Sequence, residues 1–280
     1  MNIIAESGGM APPAAEPASS QLGRRVLSAL VLAPVAIGLI YLGSWPFAAA
    51  VALTAVIMAV EWERLTGAAN AAMAAAQATV LVLAIVLANL ALPAPAIAVA
   101  LGGALLLGFV ARTRGRDARW LVLGSLWFAL PCIGLVWLRA RPELGMELVL
   151  GVFLVVWACD TGAYFAGRAI GGPKLAPRWS PKKTWSGLAG GMISAAVVGV
   201  LWAGWTGAAP LLLLGIAGAL LAVVAQLGDL AESAVKRRFD AKDSGHLIPG
   251  HGGLLDRVDG LLFAVPAAAL VTLIGGRGVV

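Results

Sequence analysis

The sequence predicts an all-α protein, a polytopic membrane bundle of about nine transmembrane helices with a cytoplasmic N-terminus. Three observations carry this. Of 280 residues, 60% are hydrophobic and 12% charged, with a mean hydropathy of +0.92. A soluble domain carries roughly twice that charged fraction, and a globule of this size cannot hide so much apolar surface from water. Next, the apolar residues run in continuous stretches of about 20, the length a helix needs to cross a bilayer, rather than in alternating segments of about ten. Lastly, the cations gather on one side of those stretches, as they do in cytoplasmic loops.

Residues 1–22 are rich in Ala, Pro, Ser and Gly and predict a disordered tail. Residues 23–280 then form a single membrane-embedded domain. Arg24 and Arg25 come too late for a secretory leader, and the run behind them suits an anchor. The expected spans are 26–43, 46–63, 70–91, 94–111, 119–138, 147–167, 187–206, 209–230 and 257–275. Gly43-Ser44-Trp45-Pro46 and Leu92-Pro93-Ala94-Pro95 are short turns between paired spans. Glu61-Trp62-Glu63-Arg64 ends the second span; Trp62 suits an interface anchor and the acids a solvated boundary.

With the N-terminus in the cytoplasm, all but Arg139, Arg141 and Arg277 of the 20 Lys and Arg residues fall on the cytoplasmic side. Both long polar loops, 168–186 and 231–256, then face the cytoplasm. Short loops and modest size suggest a bacterial inner membrane. The formal charge of +6 follows from this topology and from anionic lipid headgroups, so nucleic acid is not an expected partner. Cys132 and Cys159 lie within apolar runs and neither His has a zinc-motif partner. No clean internal repeat of the transporter kind is present.

The chemistry concentrates between Gln226 and Gly260. Asp229, Glu232 and Ser233 stand at i, i+3 and i+4, one face of a helix. Asp256 and Asp259 share a face at the start of the last span. Two helix ends offering carboxylates at one boundary suit a hard divalent cation such as Mg²⁺, which takes carboxylate, phosphate and water oxygens. A lone interfacial acid is more often an anchor; two such clusters joined by a loop are not. Lys236, Arg237, Arg238 and Lys242 lie between them, placed to meet phosphate oxygens. Pro249-Gly250-His251-Gly252-Gly253 is a tight turn whose amides can cradle an anion, with His251 a candidate substrate contact. Upstream, Asp160 lies late in an apolar span, where an acid is costly unless it faces a wet interior or a partner. Ser180-Pro181-Lys182-Lys183-Thr184 adds two ammonium groups and two hydroxyls before the next span.

From Ser233 to Asp259 the pattern S-A-V-K-R, four residues, K-D, then I-P-G-H-G-G-L-L-D-R-V-D resembles the signature of the phosphatidate cytidylyltransferases, the CDP-diacylglycerol synthases. Gln226-Leu-Gly-Asp229-Leu-Ala-Glu232, Asp160-Thr161-Gly-Ala-Tyr164, Ser180-Pro-Lys-Lys-Thr-Trp185 and Glu61-Trp62 with Leu65-Thr66-Gly67 are similar to other elements of that family. Ser186 departs from it, standing where relatives often carry an acid or amide.

The resemblance implies transfer of CMP from CTP to phosphatidic acid with release of pyrophosphate, in phospholipid biosynthesis. It implies divalent metal, Mg²⁺, with a second cation left open, and a homodimer as a possible assembly. Carried over, Asp229, Asp256 and Asp259 hold the metal. Lys236, Arg237 and Arg257 lie near phosphate groups, and Asp160, Lys182 and Lys183 line the same cytoplasmic cavity. Ser233, Lys242 and His251 complete the expected substrate contacts. Two other classes remain open at this point: a CTP-using membrane transferase acting on an isoprenoid lipid, and a transporter, for which Asp160 is the supporting feature.

Overall fold

The computed structural model describes residues 31–66, 70–207, 210–245 and 252–275. The expected disordered tail lies outside them, as do the turn residues Pro249, Gly250 and His251. Helices form wherever the sequence runs apolar, because a helix satisfies its own backbone in lipid. In chain order they are α1 (Val31–Leu42), α2 (Ser44–Leu65), α3 (Ala71–Asn89), α4 (Pro93–Thr113), α5 (Ala118–Arg139), α6 (Gly145–Ile170), α7 (Trp185–Thr206), α8 (Leu211–Arg238), α9 (Leu255–Val258) and α10 (Leu261–Gly275). Seven of them, α2 to α8, are long and apolar enough to cross a membrane. The first and last expected spans fall on α1 and α10, of which the apolar stretches Val31–Leu42 and Leu261–Ile274 lie within the described residues. Large apolar side chains such as Leu105, Leu212 and Trp205 remain exposed around the bundle, a surface that lipid rather than water would cover. The chain is an integral membrane protein.

The polar loop after α6 is not irregular. It folds into a two-stranded antiparallel hairpin, β1 (Lys174–Ala176) and β2 (Ser180–Thr184), with Lys174 opposite Thr184 and Ala176 opposite Ser180. Thr184 then caps α7, its hydroxyl accepting from the Gly187 amide at 3.0 Å. Elsewhere turns are shorter than expected. Gly43 alone separates α1 from α2, at φ 61°. Arg139 at the end of α5 donates to the carbonyls of Ile40 (2.5 Å) and Tyr41 (3.1 Å), satisfying the end of α1. Pro93 opens α4, where a missing N–H costs nothing.

Helices α2 to α5 pack as one group and α6 to α8 as another, with α10 against both α5 and α8. The most enclosed span is α5. Its Trp127 and Phe128, with Trp120, surround Trp62 of α2 at centroid distances of 5.7, 5.4 and 6.3 Å. Trp62 has no exposed surface and donates its indole N–H to the Trp120 carbonyl at 2.8 Å. The expectation of an interface anchor is therefore wrong: the indole found a carbonyl inside the protein. The neighbouring acids are not solvated either, since Glu61 and Glu63 are 4% and 2% exposed. Glu63 pairs with Arg116 at 2.8 Å.

Trp62→Ala removes a fully enclosed aromatic and its hydrogen bond. It should cost about 3–5 kcal/mol, read as a lowered unfolding midpoint in detergent, whereas the exposed Trp205→Ala should leave the midpoint nearly unchanged.

Candidate active site

Polar side chains from α6, the β-hairpin, α8 and α9 meet at one end of the bundle. The 28 residues of α8 span about 42 Å, long enough to carry Asp229 to Lys236 past the apolar run. Helical spacing puts Ser233 one turn from Asp229, and its hydroxyl donates to Asp229 Oδ1 at 3.3 Å. Asp229 Oδ2 lies 2.5 Å from Lys183 Nζ on β2. The same ammonium donates to Gln226 Oε1 at 2.9 Å, and Gln226 Nε2 stands 3.5 Å from Asp160 Oδ1 on α6. Asp160 itself is exposed. Asp160, Gln226, Lys183, Asp229 and Ser233 thus form one connected line across three elements.

A second network lies one turn further along α8. Lys236 Nζ is 3.0 Å from Glu232 Oε1 and 2.6 Å from Asp256 Oδ1. Glu232 is 1% exposed, and neither of its oxygens has an aligned hydrogen-bond donor. Asp256 Oδ2 accepts from the Ser244 amide (3.0 Å), the Ser244 hydroxyl (3.0 Å) and the Gly253 amide (2.8 Å). Burial opposes the charge on Asp256. The Lys236 ammonium and the two amides outweigh it and hold the carboxyl below its ordinary range.

Asp259 reaches the first network through a glycine. A Cβ on Gly228 would fall 2.7 Å from the Asp259 carbonyl oxygen, so only glycine lets the start of α10 approach α8 this closely. Asp259 Oδ1 accepts from the Gly260 amide at 2.7 Å. Desolvation pushes this carboxyl up, and the charges of Asp229 and Asp160 push it further.

The remaining expected contacts divide. Lys182 and Lys242 are exposed and make no hydrogen bond or ion pair among the described residues, which leaves them open to an anion. Arg237 donates to the Trp179 carbonyl (3.3 Å) and the Ala241 carbonyl (3.1 Å), tying the hairpin to the end of α8. Arg257 is exposed on α9. His251 lies outside the described residues. The Ser186 hydroxyl donates to the Gly171 carbonyl and closes the hairpin. Ser244 and Glu61 were not expected here. Ser244 carries no chemical signature of its own, and nothing in the spacing links Glu61 to a loop so far away in the chain.

Among the described residues, no three His, Cys, Asp or Glu side chains close into a finished metal cage. The donor set nevertheless suits a hard cation. Carboxylates converge from α6, α8 and the α9–α10 junction, Glu232 Oε2 has no partner beyond the Lys236 ion pair on Oε1, and all donors are oxygen.

Lys236→Met leaves Glu232 and Asp256 without their cation and should cost about 3–5 kcal/mol, measured by denaturation in detergent. The folded-state pKa of Asp256 is depressed, so its contribution to stability is complete above its unfolded value of about 3.9. That contribution is lost as pH falls through the lower folded value. Asp256→Asn should therefore flatten the loss of stability below about pH 4.

A family model described as "Cytidylyltransferase family" matches residues 23–274. A phosphatidate cytidylyltransferase of Brucella suis is 39% identical over 271 residues, covering 91% of this chain and 94% of that protein. One of Pseudomonas aeruginosa is 39% identical over 270 residues, covering 92% and 99%. One of Bacillus subtilis is 42% identical over 130 residues, about half of each chain, at 46% and 48%. With the family match running through both networks, this chain belongs to the cytidylyltransferase family.

Proposed function

We propose that the protein transfers CMP from CTP to phosphatidic acid, forming CDP-diacylglycerol and releasing pyrophosphate. The observation that carries this reading is the Lys183–Asp229 contact. It brings the basic hairpin onto the acids of α8, at the mouth of an apolar bundle. Phosphatidate keeps its chains in lipid and CTP arrives from water, so a site at this boundary serves both. A phosphate oxygen of phosphatidate forms the new bond to the α-phosphorus of CTP. The bond from that phosphorus to the bridging oxygen of the β-phosphate breaks, and the electron pair leaves with pyrophosphate. The nucleophile is already an anion, so no strong base is required. The obstacle is the approach of two polyanions, which is met by positioned cations.

In this reading Lys182 and Lys242, open to solvent, receive triphosphate oxygens, and Arg257 and His251 serve as further substrate contacts. Lys183 and Lys236 hold Asp229 and Asp256 in place, and Ser233 orients Asp229. Asp229, Asp256 and Asp259 would hold Mg²⁺, with Asp256 already engaged by four donors and Asp229 and Asp259 more open. Bound there, the ion would neutralise phosphate charge and stabilise the leaving pyrophosphate. Whether a second cation joins it depends on the same oxygens. Arg237 steadies the hairpin through two backbone carbonyls and keeps further N–H donors for phosphate. The chain would cross the bacterial inner membrane nine times, with α1 and α10 as the outer crossings. The N-terminus and the site would both face the cytoplasm, and two copies would assemble as a homodimer.

The test uses purified protein in mixed micelles with phosphatidic acid, labelled CTP and Mg²⁺, following label into the lipid phase. Label should move with matching pyrophosphate release, and chelation of Mg²⁺ should stop it. Asp259→Asn should abolish transfer, a loss of at least about 100-fold, while leaving the unfolding midpoint close to wild type. Normal turnover in that variant would remove Asp259 from the metal site. Transfer only to isoprenoid acceptors would overturn the choice of lipid.

A further inference from the structure

We propose that Glu61, on α2, is a positioning residue for the reaction: its carboxylate sets the place of the loop that carries Asp256 and Asp259. The inference rests on the cytidylyl-transfer reading for its effect on turnover. The geometry on which it stands is independent of that reading.

Glu61 lies in the last turns of α2, in the half of the bundle that supplies none of the proposed substrate contacts. Its two oxygens accept from successive backbone amides, Oε1 from Leu254 and Oε2 from Leu255, each at 2.9 Å. The Ser244 hydroxyl is 3.4 Å from Oε2 and 3.0 Å from Asp256 Oδ2, so one proton is shared between two carboxylates. Both strands of the loop base close around Glu61. A Cβ on Gly245 would sit 2.8 Å from Oε1, and one on Gly253 would sit 2.8 Å from Oε2 and 2.8 Å from the Gly245 nitrogen. The carboxylate therefore fills a slot between the two ends of the loop, and glycine at both positions leaves room for it.

The consequence follows from chain connectivity. Asp256 is the next residue after Leu255, and Asp259 follows within one helical turn. With the Leu254 and Leu255 amides held on α2, those two carboxylates are referred to α2 as well as to α8. A charged acceptor receiving two parallel N–H groups is both strong and directional. A solvated acid at a span boundary would do none of this, and Glu61 is buried. Glu63, two residues on, supplies a comparison: it is just as buried, yet it pairs with Arg116 rather than with the loop.

Glu61→Gln keeps the shape and turns one acceptor into a donor facing an N–H. In the full-length protein in lipid micelles, kcat should fall about ten-fold or more, with the KM for CTP changed less than about three-fold. Amide exchange across 252–258 should quicken by about ten-fold or more, while the hairpin 174–184 exchanges as in wild type. Glu63→Gln, used to match any loss of overall stability, should leave exchange at 252–258 unaltered. Unchanged exchange at 252–258 in Glu61→Gln overturns the inference. So does an equal fall in kcat for Glu63→Gln at matched stability, because the effect would then be general destabilisation. If wild-type protein forms no CDP-lipid while the local exchange change is present, the positioning of the loop stands and the cytidylyl-transfer reading is what fails.

Discussion

A buried ammonium holds the working end of this protein together. Lys236 stands between Glu232 and Asp256, and through Asp256 it gathers the Ser244 and Gly253 amides. Each charge would be expensive alone in such surroundings. Together they tie the end of α8 to the segment that returns toward the membrane.

The two halves of the bundle divide the work. Helices α6 to α8 and the hairpin contribute the cations and most acids of the first network. Helices α2 to α5 contribute a rigid support whose aromatic cluster around Trp62 runs into the loop through Trp120 and Phe239, 4.9 Å apart at their centroids. Glu61 belongs to this support. Lipid explains the arrangement: with no water in the bilayer to drive helices together, close packing and satisfied polar groups must do so. Polar contacts are therefore concentrated at one end of the bundle.

Much of the site was legible because local spacing carries it. Asp229 and Ser233 meet as i, i+4 neighbours on α8, and Lys236 meets Glu232 in the same way. The family signature placed the cations and acids in one stretch. The sequence marks the hairpin only as a basic loop, because its strands are three and five residues long and held by tertiary contacts as much as by propensity. Arg237 also donates to two backbone carbonyls, contacts that its place in a basic run does not reveal.

By itself the sequence determined that the chain lives in lipid as helices and where its charge density lies. Hydropathy and helical periodicity are local properties, readable over about 20 residues. Tertiary structure alone decided which polar groups are partners. Glu61 and Trp62 occupy a span end that looks like any interfacial boundary, yet folding brings Leu254 and Leu255 to the first and the Trp120 carbonyl to the second. No local pattern encodes contacts 58 and 193 residues apart in the chain; they arise from the packing of α2 against α5 and of residues 254 and 255 against the end of α2.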